Sequence, residues 1–186
     1  LTLYRSSIVG TNLSAGQHNP YRLEYMNQPL IKFIDLDPNV IAAETTLRAS
    51  ASDVYALVAN PARHAELDGG TTIRGLNKGS DGEFAEGDTF SQNMVLGIPY
   101  TLPMKVTRAE KNSGVTWVHP GKHTWSWDIT DNHDGTVTVR ETFDARGSVI
   151  AGIPVYKIYH LLGSFRANRK NIALSLANLH RIFACN

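Results

Sequence analysis

Residues 125–144 run WSWDITDNHDGTVTVRETFD, two alternating blocks around one turn. Side chains of a strand point to opposite faces in turn. In the first block, extended back to His123, one face carries His123, Trp125, Trp127 and Ile129. The other carries Thr124, Ser126, Asp128 and Thr130, which suit water. In the second block Val137, Val139, Glu141 and Phe143 share a face, opposite Thr136, Thr138, Arg140, Thr142 and Asp144. A three-residue loop, His133-Asp134-Gly135, with glycine in the left-handed position makes a common hairpin. It pairs Asn132 with Thr136, and hence Trp127 with Glu141 and Trp125 with Phe143. Both apolar faces then coincide, whereas a one-residue slip would separate them. Glu141 is the single charge on the inward face and is expected beside Trp127, facing the interior.

Working outward, further strands are expected at 71–76, 88–96, 100–110 and 115–119, with 123–131 and 136–145 as the hairpin just described. Gly97-Ile98-Pro99, Asn112-Ser113-Gly114 and Pro120-Gly121 mark the connections. Short connections imply antiparallel neighbours. Upstream, the β-branched stretch 40–49 reads as a first strand. Ser50 then offers a helix N-cap. Val54, Leu57 and Val58 follow at helical spacing until Asn60-Pro61, and a second short helical turn is expected over 61–66. Downstream, Ile158, Leu162, Phe165, Ile172, Leu176, Leu179 and Phe183 lie on one stripe of a terminal helix over 154–183, with Pro154 in its first turn and Gly163 as a point of kink or break. The expected fold class is α+β: a curved antiparallel sheet of about six to seven strands wrapped around a long C-terminal helix, with two short helices after the first strand. Such a sheet and helix enclose an apolar chamber. Residues 1–38, punctuated by Pro20, Pro29 and Pro38, read as an extension, and 39–186 as one domain.

Composition bounds the function. A 186-residue chain, 42% hydrophobic with net charge +1, suits a single globular domain. No run of about 18 apolar residues occurs, so no transmembrane segment is expected. Residues 1–30 lack a basic start followed by an apolar block, although the chain starts at Leu1 and a removed leader stays open. The default reading is cytoplasmic. The single Cys185 rules out an internal disulfide, and Asn12-Leu13-Ser14 matches a glycosylation sequon by form alone. Charge is uneven. Residues 145–186 hold Arg146, Lys157, Arg166, Arg169, Lys170 and Arg181 and no carboxylate. This is either a solvated basic helix or a docking face for an acidic partner such as a carrier protein or anionic lipid. Nucleic acid is not expected, since the basic residues are not interleaved with aromatics and the whole chain is near neutral. A homodimer stays open. Neither a phosphate-binding glycine loop, a dinucleotide fingerprint nor a G-x-S-x-G elbow occurs, which disfavours nucleotide-driven enzymes and serine hydrolases.

The order of strand, two short helices, strand meander and long closing helix resembles the helix-grip fold of the START/polyketide-cyclase superfamily (SRPBCC). The likeness is carried by residues 51–70 (ASDVYALVANPARHAELDGG), by GDTFSQNM (87–94) with YTLPMKVTRAE (100–110), and by residues 125–144. It implies a deep pocket between the sheet and the last helix that holds a lipid, sterol, hormone or polyketide. Some members of the superfamily cyclise, aromatise or dehydrate the ligand. No member's site residues carry over position by position.

On that expectation the protein binds a small hydrophobic metabolite and acts as a cyclase or dehydratase without a cofactor. The alternative is a non-catalytic carrier or sensor. Glu141 is the candidate acid/base, because a carboxyl against an indole and away from water has a raised pKa. Its rival role is a buried ion pair with Arg169. His123 and Tyr100 are candidate proton relays. Met94, Gln92, Leu102, Met104, Trp125, Trp127, Phe143, Phe165 and Arg169 are candidate ligand contacts, with flexible methionines suited to a pliable ligand. His119 and His123 flank Pro120-Gly121-Lys122, a turn rather than a helix face, so no metal site is expected.

Overall fold

The computed structural model describes residues 31–184. The sequon at Asn12, Cys185 and most of the extension lie outside that range. Among the described residues ten strands and four helices follow in chain order: β1 (Lys32–Ile34), β2 (Val40–Arg48), α1 (Ala51–Val58), a 3-10 turn (Pro61–Arg63), α2 (His64–Leu67), β3 (Ile73–Lys78), β4 (Thr89–Leu96), β5 (Ile98–Glu110), β6 (Gly114–Val118), β7 (Thr124–Asp131), β8 (Thr136–Asp144), β9 (Val149–Ile150), β10 (Ile153–Pro154), α3 (Val155–Leu161) and α4 (Ser164–Ala184). Eight strands form one antiparallel sheet in the order β1-β2-β8-β7-β6-β5-β4-β3. This is the α+β helix-grip architecture expected, with one more strand. The extra strand is β1, which lies within the proline-punctuated segment and pairs with β2 at the sheet edge.

The central hairpin has the expected register: Trp127 faces Glu141 and Trp125 faces Phe143. The amide of Asn132 donates to the carbonyl of Thr136 at 3.1 Å, and Gly135 takes φ +82°. Trp127, Ile129, Val137, Val139, Glu141 and Phe143 are buried, as the alternation requires. Ser50 caps α1: its hydroxyl accepts from the amide of Asp53 at 3.1 Å.

Two expectations need correction. The terminal helix is not continuous from Pro154. Gly163, at φ +72°, makes the break expected at that position, between α3 and α4, while Pro154 ends β10 ahead of α3 instead of lying in the first helical turn. Ile158 and Leu162 are therefore turned to solvent, at 46% and 72% exposure, while Ile172, Leu176 and Leu179 of α4 are fully buried. Second, β3 starts at Ile73 rather than Thr71. The cause is Asp68, whose carboxylate accepts from the amides of Gly70, Thr72 and Ile73 and holds them in a loop with Thr71 at φ +52°. Among the described residues no helix is long and apolar enough to cross a membrane.

Candidate functional site

A cavity of about 480 Å³ lies between the concave face of the sheet and the first half of α4. Its walls come from β4 and β5 (Gln92, Met94, Leu102, Met104), from β6, β7 and β8 (Trp117, Trp125, Trp127, Glu141, Phe143), and from the segment between α2 and β3 (Asp68, Thr72). Leu96 and Tyr100 also border it and are 72% and 36% exposed, so the cavity opens at the β4–β5 tip. Ile98, Leu161 and Leu162 add exposed apolar surface at that tip and at the α3–α4 corner.

The helix that roofs the cavity does so with an unexpected face. Ser164, Asn168, Asn171 and Ser175, spaced four, three and four residues apart, border the space. The neighbouring apolar stripe, Ile172, Leu176 and Leu179, packs solidly into the core instead. The same spacing rule that revealed the apolar stripe also reveals the polar one. The roof is thus amide and hydroxyl, opposite an aromatic wall.

Ten of the twelve candidate residues border the cavity: Glu141, His123, Tyr100, Trp125, Trp127, Met94, Gln92, Leu102, Met104 and Phe143. Two do not. Phe165 stacks on His160 at 4.0 Å and meets Phe143 edge-on at 5.6 Å. Arg169 stands 3.7 Å over the ring of Phe33, a cation–π contact. The Glu141–Arg169 ion pair is therefore not formed. Arg169 follows Asn168 of the cavity-facing stripe and so points about 100° round the helix from it, toward Phe33 of β1.

Glu141 is 5% exposed, and Oε2 has no hydrogen-bond partner among the described residues. Ala43 of β2 opposes it in register and leaves room beside the carboxyl. Burial drives its pKa well above the usual carboxylate range. The Ser175 hydroxyl opposes this less strongly, and the Asp68 carboxylate adds to the rise. The group retains its proton well above the pH at which an exposed glutamate loses it. Tyr100, at the opening, is raised by burial and then by Asp68.

The imidazoles shift the other way. His119 and His123 stack at 4.3 Å across the β6–β7 turn. Burial lowers His123 to about 4 and, with the adjacent His123 ring, lowers His119 to about 3. His123 Nδ1 shares a 3.0 Å hydrogen bond with the Tyr159 hydroxyl. At neutral pH the imidazoles are therefore unprotonated, while the carboxyl holds its proton more tightly than an exposed glutamate does. His123 and Trp127, the partner of Glu141, are four residues apart, about 13 Å along a strand.

His64 was not picked out as a site residue. It sits in a four-residue helix, where a histidine ordinarily faces water. Here it is 4% exposed and borders the cavity. Its Nε2–H donates to the Val58 carbonyl at 3.0 Å, which leaves Nδ1 to accept from the Gln92 amide at 2.9 Å. Gln92 also donates to the Pro61 carbonyl at 3.1 Å. This closed network fixes the floor between Phe84, Phe90 and Trp117. Gln92 is consequently committed to the protein, even though it borders the space.

No family model matches the chain. The uncharacterised Mycobacterium tuberculosis protein Rv0088 is 34% identical over 157 residues, covering 83% of this chain and 68% of that protein. Among solved structures, Ms6760 from Mycobacterium smegmatis superposes with a TM-score of 0.59 at 12% identity, covering 83% of this chain and 97% of that one. An AHSA1-like protein from Aeromonas hydrophila superposes with a TM-score of 0.50 at 16% identity, covering 74% and 91%. These structural likenesses concern the fold. With its eight-stranded sheet, roofing helix and the cavity between them, the chain has the SRPBCC-type helix-grip fold and belongs to the family of Rv0088.

Proposed function

We propose that the protein binds a small hydrophobic metabolite in this cavity and catalyses its cyclisation with loss of water. Acid–base groups of the chain suffice, with no cofactor. The observation that carries the reading is a buried carboxyl, Glu141, with Oε2 unpaired and its pKa raised by burial, in an aromatic-walled space that also holds imidazoles whose pKa burial lowers. An imidazole takes a proton from the carbon beside a carbonyl, and that carbon attacks a second carbonyl. The Glu141 proton passes to the new alkoxide. Loss of the resulting hydroxyl with a neighbouring hydrogen then releases water. The walls fold the substrate so that the attacking carbon and the second carbonyl meet, within reach of both acid and base. His123 is the base in this scheme, Tyr100 the relay at the opening, and Trp125, Trp127, Met94 and Met104 the mould.

Native mass spectrometry of protein purified from its own host is expected to show a co-purifying small molecule. With that molecule or its precursor as substrate, Glu141→Gln is expected to lower turnover by about 10²–10⁴-fold and leave binding near the wild-type value. Unchanged turnover would remove Glu141 from the chemistry. Binding without turnover in either protein would make the protein a carrier, a reading favoured by the apolar rim at Leu96, Ile98 and Leu162.

The same reading gives the exposed Arg166 and Lys170 of α4 a role in docking an acidic carrier protein that delivers the substrate. Neither pairs with a carboxylate among the described residues. Reversing both to Glu is expected to weaken binding of an acidic acyl carrier protein at least tenfold at low salt, measured by calorimetry, with thermal stability unchanged. Equal affinity of the two proteins would make this face a solvated one.

A further inference from the structure

His119 takes no part in the scheme above, yet it is the most poorly satisfied polar side chain bordering the cavity. It is 9% exposed, and no described group reaches either Nδ1 or Nε2. Buried polar atoms are nearly always paired, so an imidazole with both nitrogens unpaired needs a reason. The ring is also held in place. It stacks on His123, which is bound to Tyr159. The His119 amide donates to the His123 carbonyl at 3.0 Å, and the Lys122 amide donates back to the His119 carbonyl at 2.9 Å. Gly121 lies between them, where a Cβ would come within 2.4 Å of the Tyr159 hydroxyl oxygen. The turn is thus closed tightly around the two rings.

Chemistry narrows what the ring can recognise. Burial keeps it neutral, so it offers one N–H and one lone pair. No lysine or arginine borders the cavity among the described residues, so an anionic ligand would lack a counter-charge. The Asp68 carboxylate is already occupied by the amides of its own loop. A ketone oxygen would satisfy only the N–H. A hydroxyl both donates and accepts, so it pairs with whichever nitrogen faces it. We propose that His119 is the polar anchor of the cavity and selects ligands that carry a neutral phenolic or enolic hydroxyl on an otherwise apolar ring system.

This inference rests on the reading that the cavity binds a hydrophobic metabolite, and the test separates the two. The probes are 2-naphthol and 2-methylnaphthalene, which differ by a hydroxyl in place of a methyl group. Each is titrated into the full chain and into His119→Phe, which keeps a flat ring without polar atoms. Wild type is expected to bind the naphthol about tenfold more tightly than the methyl compound, the worth of one buried hydrogen bond. His119→Phe is expected to lose that preference and to bind the methyl compound at least as well as wild type does. An equal preference in both proteins overturns the role of His119 and leaves the cavity reading intact. Failure of both probes to bind wild type overturns both. Should His119→Phe not fold, His119→Leu carries the same comparison.

Discussion

Gly69→Ala is expected to destabilise the protein by about 3 kcal/mol or more, the upper end of what overpacking costs. Gly69 sits at the base of the loop that Asp68 organises, directly against α4. A Cβ there would lie 2.2 Å from the Asn171 carbonyl oxygen, 2.6 Å from the Leu174 Cβ and 2.7 Å from the Ser175 amide nitrogen. Two of these are helix backbone, so no side-chain rotation relieves the clash. The helix or the loop must move. The Gly69 amide also donates to the Ser175 hydroxyl at 3.2 Å, and Asn178 donates to the Leu67 carbonyl at 3.2 Å, and both ties would be pulled apart. Asn171 and Ser175 border the cavity, so ligand binding should fall with stability. Urea unfolding checks this against Gly82→Ala, where a Cβ meets nothing within 4 Å and the change should stay within about 0.5 kcal/mol. A loss below about 1 kcal/mol at Gly69 would show that the loop slides without disturbing the roof.

Mild acid should be the second large perturbation. Folding lowers His64 from 6.5 to about 4, His119 to about 3 and His123 to about 4, all chiefly by burial. Between pH 6.5 and 4 the unfolded chain binds protons that the folded chain refuses, so stability falls as pH falls through that window. For the fully buried His64 alone the full effect is about 3 kcal/mol. Glu141 acts with the opposite sign. Its folded pKa is raised, so its penalty is absent below about 4.5 and grows as pH rises toward the folded value. Three imidazoles against one carboxyl leave a net loss of stability from pH 7 to pH 5, read as a shift in the urea midpoint. Glu141→Gln removes the opposing contribution. It should therefore raise stability at pH 7 and steepen the acid loss. A flat profile in wild type would mean that the imidazoles take up protons without unfolding.

The central hairpin could be read from the sequence because two independent rules agreed on it. Alternation gave the inward faces, and Asp134-Gly135 set the turn, so the pairing of Trp127 with Glu141 followed before any coordinates. Period alone served less well on α4. The helix has two adjacent stripes, and the sequence does not say which of them meets solid core and which meets space. The ring of Phe33, in a segment without periodicity, claimed Arg169 and left Glu141 without the expected cation. Histidines were the weakest point. His64 and His119 lie in a one-turn helix and a hairpin turn, places that usually face water. Their burial depends on contacts with Gln92 and Trp117 and on the closing of the β6–β7 turn, which local sequence does not encode.

The pairing of β2 with β8 has a consequence for how the chain reaches this state. Val40 pairs with Asp144 and Arg48 with Thr136, so the second strand to be made bonds to the eighth. The hairpins from β4 to β8 close short loops and can assemble among themselves. The β2–β8 seam must first meet the entropy of closing a very long one. On the ribosome β2 and the helices behind it must wait, with apolar surface uncovered, until residues past 144 have emerged. Only then does α4 find a finished surface on which to settle, so the chamber closes only after the β2–β8 seam has formed.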